Sequence, residues 1–79
     1  MTPKDQLYDA IKTFADGDED VYACLKRDIY TLTHTDNPAK FRSTIALILF
    51  FTNHNKNILV ALNNYIDNHK IGDNIVVEV

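Results

Sequence analysis

A chain of 79 residues, 46% apolar and 24% charged, has room for one domain around one core and is too hydrophobic to remain disordered. Its single cysteine, Cys24, cannot close an internal disulfide, and the polar start Met1-Thr2-Pro3-Lys4-Asp5 carries no signal-peptide pattern, so a cytosolic (cytoplasmic) protein is expected. The net charge of −3 conceals an asymmetry, because residues 1–36 carry eight carboxylates against four cations while residues 37–79 carry three against four; with no basic stripe to track phosphates, nucleic-acid binding is disfavoured.

In chain order, Thr2-Pro3-Lys4-Asp5 reads as a helix start, with a threonine cap, a proline where no N–H is needed, and an early carboxylate. Leu7, Ala10, Ile11 and Phe14 then recur at helical spacing, and Gly17 supplies the stop. Asp18-Glu19-Asp20 places negative charge where a second helix should begin. That helix is predicted over about residues 19–33, with Val21, Leu25, Ile29 and Leu32 as its apolar stripe and Tyr22 and Cys24 on the flanks. Thr31, Thr33 and Thr35 weaken its end, since β-branched side chains lose rotamer freedom in a helix.

Asp36-Asn37-Pro38 repeats the logic of the first start and opens a third segment containing Ile45-Ala46-Leu47-Ile48-Leu49-Phe50-Phe51. Seven apolar residues in succession are too few to span a membrane, and they predict the central, most buried element of the domain. Periodicity alone leaves helix and buried strand open over Thr44–Phe51. The upstream cap, the absence of glycine and a length of about 14 residues favour a helix. Full burial is the expected outcome; the alternative is that Leu47 or Phe50 stays exposed and meets a partner or a second copy.

After the polar break Thr52-Asn53-His54-Asn55, a fourth helix is expected from Ile58, Leu59, Leu62, Tyr65 and Ile66, with Gly72 as its C-terminal cap. The tail Ile75-Val76-Val77-Glu78-Val79 has strand propensity without a second strand to pair with. It reads as a docked segment, as a strand completed by a partner, or as a frayed end. Short breaks between helices force neighbours to run in opposite directions. The expected fold is therefore all-α: an antiparallel four-helix bundle over residues 1–72 with a short extended C-terminal tail over 73–79.

The constellations that invite chemistry have plainer readings. If Asp16, Asp18 and Asp20 were positions 1, 3 and 5 of an EF-hand loop, Val21 would stand where glycine is needed and Arg27 where a bidentate glutamate is needed, so the acidic cluster is read as a turn and a helix start. His34, His54 and His69 lie near predicted helix ends without metal-ligand spacing. Cys24 is expected to be a small buried hydrophobe. A bundle of this size offers little volume for a substrate pocket. No metal, no cofactor and no enzymatic activity are expected.

The helix order, the length, Leu7-Tyr8-Asp9-Ala10-Ile11, the acidic turn, Asp36-Asn37-Pro38, the apolar third helix, the Asn-rich break and Ala61-Leu62-Asn63-Asn64-Tyr65-Ile66 together resemble the immunity proteins that lactic-acid bacteria make against class IIa, pediocin-like bacteriocins. The likeness spans about residues 4–70. It implies a non-enzymatic protein that protects its cell from the cytosolic side by acting on a bacteriocin-engaged membrane receptor, without membrane insertion. It also implies that the C-terminal part selects the bacteriocin. Here that part is helix 4 and the tail, and Tyr65, Asn68, His69, Lys70, Ile75 and Val77 are the residues assigned to partner binding. Two other roles fit the same residues. One is a small phage or mobile-element regulator that occupies and inhibits a host protein. The other is a self-associating structural protein, a homodimer paired through the C-terminal tail.

Overall fold

The computed structural model describes residues 2–68. It contains four helices: α1 (Pro3–Ala15), α2 (Glu19–His34), α3 (Pro38–Phe51) and α4 (Lys56–Asn68). The tail and Gly72 lie outside the described residues. The bounds follow local chemistry. Thr2 Oγ1 accepts the Asp5 amide at 3.1 Å, Asp18 Oδ1 accepts the amides of Asp20 and Val21, and Asn37 Oδ1 accepts those of Ala39 and Lys40. Asn55 Oδ1 does the same for Asn57 and Ile58. Each satisfies helix N–H groups that have no carbonyl partner within the helix. The apolar run is helical throughout, so the strand alternative over Thr44–Phe51 does not hold.

The stops are more varied than a glycine signal suggests. α1 ends on Asp16 in the left-handed region (φ 48°), its amide donating back to the Lys12 carbonyl, and Gly17 (φ 89°) follows. α3 ends in a Schellman turn: the His54 amide reaches the Leu49 carbonyl at 2.7 Å and the Asn53 amide the Phe50 carbonyl at 3.2 Å. Asn53 and His54 both adopt positive φ (54° and 55°) without being glycine. Asparagine and histidine are among the residues that tolerate this region best. α2 runs one residue further than its threonines suggest, because Thr31 and Thr33 bond their hydroxyls to the carbonyls of Arg27 and Ile29 instead of competing with the helix.

The four helices form a ring. Each packs on its neighbours in sequence, and α4 closes on α1. Antiparallel order is visible at both ends of α4: Asn64 Nδ2 donates to Gln6 Oε1 at 2.6 Å near the start of α1, while Lys56 and Asn57 share a groove with Thr13 near its end. The core holds Leu7 and Ile11 from α1, Leu25, Ile29 and Leu32 from α2, Phe41, Ile45 and Ile48 from α3, and Ile58, Ala61 and Leu62 from α4. Burying each leucine, isoleucine or phenylalanine contributes about 1.5–3 kcal/mol.

Burial is uneven around the ring. α1 packs broadly on both α2 and α4, whereas α3 leans on α2 and touches α4 lightly. α3 contributes more buried residues than any other helix, as expected, but it is not enclosed on every side. One side of it carries Phe41, Thr44, Ile45, Ile48 and Leu49 into the core, and the other side faces solvent. In a ring of four, each helix has an outer face that no other helix covers.

Candidate interaction surface

The outer face of α3 is the least ordinary surface of the molecule. Phe50 is 81% exposed, Leu47 52% and Phe51 46%. Leu47, Phe50 and Phe51 stand three and four residues apart, so they are neighbours on one helix surface. Ser43 and Ala46 on the same side are also exposed. A helix at the edge of a globular domain normally turns charged or polar residues outward, and contiguous apolar side chains in that position make this face a candidate contact surface. The inner face is internally satisfied: the buried hydroxyls of Thr44 and Thr52 donate to the carbonyls of Lys40 (2.7 Å) and Ile48 (2.8 Å). α3 therefore needs nothing from outside to complete its own hydrogen bonding there.

A second surface lies across α1 and α2. Tyr22, Lys26, Tyr30 and His34 are spaced by four along α2. Lys26 Nζ sits 4.5 Å over the Tyr22 ring, a cation–π pairing. The His34 ring stacks on Tyr30 at 3.9 Å, and its Nδ1 donates to the Tyr30 carbonyl at 2.8 Å. Tyr8 of α1 belongs to the same band: burial first, then the nearby Tyr22 and Tyr30, hold its phenol above the usual tyrosine range. The i, i+4 spacing from Tyr22 to His34 was available in the sequence as a signal for this band, and stripe analysis passed over it because it seeks apolar residues.

Of the residues assigned to partner binding from sequence, Tyr65 and Asn68 lie among the described residues. Tyr65 is 6% exposed and belongs to the core, its ring centroid 6.5 Å from that of Phe41; it is removed from the candidate surface. The row Ile58, Ala61, Leu62, Tyr65 explains this, since every member lies on the inward face of α4. Burial also pushes the Tyr65 phenol above its ordinary range. Asn68 is exposed at the end of α4, where its Nδ2 donates to the Asn64 carbonyl at 2.8 Å and to Asn64 Oδ1 at 3.3 Å. Because Asn64 also donates to Gln6, this chain of amides ties α4 to α1. His69, Lys70, Ile75 and Val77 lie outside the described residues.

Cys24 requires a correction of the opposite kind, being exposed on α2 where a buried position was expected. The stripe of α2 is Leu25, Ile29 and Leu32, and the residue before Leu25 is rotated about 100° away from it. Asp28 is half-buried, and desolvation holds its carboxyl above the ordinary aspartate range despite the opposing pull of Arg27.

Two open depressions accompany these faces. One, about 240 Å³, lies between α1 and α4 and is lined by Gln6, Asp9, Ala10, Thr13, Lys56, Asn57 and Val60. The other, about 170 Å³, lies at the α1–α2 turn beside Lys12, Gly17 and Tyr22. Both fall below the roughly 300–1,000 Å³ of typical small-molecule sites. Among the described residues no three His, Cys, Asp or Glu side chains gather to hold a metal ion, and no helix is long and apolar enough to cross a membrane. Comparison with protein-family models, with curated proteins and with solved structures found no match.

Proposed function

We propose that this chain is a non-enzymatic binding protein, and that its role is bacteriocin immunity exerted from the cytosolic side on a membrane receptor engaged by a pediocin-like peptide. The observation that carries the binding part is the solvent-facing set Leu47, Phe50 and Phe51 on α3, three of the five exposed large hydrophobic side chains among the described residues. The immunity part rests on the resemblance in helix order and turn residues, and the four-helix fold agrees with it. The contact proposed here leaves out the buried Tyr65 and includes the outer face of α3.

The test is expression in a bacteriocin-sensitive lactic-acid bacterium followed by challenge with a panel of pediocin-like peptides. Protection against one or a few of them is the expected result, and Phe50→Ser should reduce it. Uniform sensitivity, with the protein shown to be folded in the cells, overturns the immunity role. The acidic α1–α2 half then favours the second reading, a regulator that occupies a basic surface on a host protein. Salt-sensitive binding to one purified host protein identifies that role.

A further inference from the structure

The outer face of α3 also carries a pattern of charge. From Asn37 to Ile66 the chain contains Lys40, Arg42 and Lys56 and no carboxylate, whereas eight of the eleven acids precede Asn37. On α3, Lys40, Ser43, Leu47 and Phe50 follow at steps of three, four and three, so one helix surface runs from a cation to the most exposed aromatic ring. Arg42, Ala46 and Phe50 make an adjoining row at steps of four, and every residue in both rows is exposed. α1, with Asp5 and Asp9, does not pack on α3 and stands across the ring from it.

We infer that this face docks peripherally on an anionic lipid surface. Phe50, flanked by Leu47 and Phe51, enters the headgroup layer, Lys40 and Arg42 meet lipid phosphates, and α1 with Asp5 and Asp9 is turned away, while the exposed Asp36 stands one turn before Lys40. Basic residues beside an aromatic and aliphatic helix face are the composition that holds a helix in the plane of such an interface. A fluid headgroup layer needs no matching shape to receive one protruding ring. Docking of this kind does not depend on the immunity role, and the two can fail separately, because one is measured on purified protein and the other in cells.

The experiment is sedimentation of the full chain with vesicles of phosphatidylglycerol and phosphatidylcholine in equal parts, against phosphatidylcholine alone, at low and high salt. Binding to the anionic vesicles that weakens with salt is expected. Phe50→Ser should lower it about tenfold, and Lys40→Gln and Arg42→Gln about fivefold each, with thermal melts showing that each variant is folded. Absence of binding to the anionic vesicles, or equal binding to both compositions, overturns the inference. A concentration-dependent dimer that Phe50→Ser dissociates also overturns it, by assigning the face to a second copy.

Discussion

α1 and α3 are helices of 13 and 14 residues in one ring, yet the less apolar of the two meets its neighbours more broadly, and the more apolar one leaves large side chains in water. α1 alternates a narrow stripe, Leu7 and Ile11, with charged residues, and that stripe suffices because α2 and α4 both close on it. α3 is apolar on nearly every side from Thr44 to Phe51, and half of that surface remains in water because its neighbours lie on one side. Composition measures how much a helix could bury; placement in the ring sets how much it does. The excess apolar surface of α3 is thus more than its own fold requires, and this excess is what points to an external contact.

The sharpest way to break this comparison is within α3 itself. Ile48→Asp puts an unpaired carboxylate at a position with no solvent exposure, which costs several kcal/mol, a large part of the total stability of a small domain. Circular dichroism should find the variant unfolded at room temperature; a melting temperature equal to wild type would show that the inner face of α3 is not the core.

Asp18→Ala probes the tightly built side. Losing the cap over Asp20 and Val21 should destabilise the protein by about 1 kcal/mol in denaturant melts. Asp28→Asn is expected to have a smaller effect of opposite sign. The Asp28 carboxyl is raised in the folded state by burial, so the folded protein holds its proton more tightly than the unfolded chain does. That contribution is fully present below the unfolded pKa near 3.8 and is lost as pH rises through the folded value. The asparagine variant should therefore be modestly more stable than wild type at neutral pH, and the gain should disappear in acid. A gain independent of pH would assign the effect to something other than ionisation.

Phe50→Ser completes the series from the outer face of α3. With 81% of the residue already in water, its stability should stay within about 0.5 kcal/mol of wild type, while function is reduced. A loss comparable to that of a core truncation would mean that Phe50 is packed, and the contrast between the two faces of α3 would fail.

Much of the local structure was legible in the residues. Thr2-Pro3, Asp18 and Asn37-Pro38 mark three helix starts by chemistry that acts within three residues, and Leu7, Ile11, Leu25, Ile29 and Leu32 name their own buried faces by spacing. The left-handed stop at Asn53 and His54 was less legible than that at Asp16-Gly17, because no glycine announces it. The candidate surface was the least legible part. Tyr65 falls on the apolar stripe of α4 by its spacing, while the family resemblance implied a partner contact for it; its register on α4 aims it at Phe41. Cys24 is apolar enough to suggest burial, but its register on α2 turns it outward. In Ile45–Phe51 no polar residue distinguishes one face from another, so periodicity had nothing to report.

The sequence by itself determined four helices, three of their starts, and the segregation of acids into the first half of the chain, since each depends on residues a few positions apart or on composition. Which side of α3 enters the core, and which is left to meet a partner or a lipid surface, was decided by tertiary structure. The run Ile45–Phe51 is apolar all round and can satisfy its backbone in any rotation about its axis; Lys40, Arg42 and Ser43 upstream mark the wet side, and the positions of α2 and α4 fix the rotation.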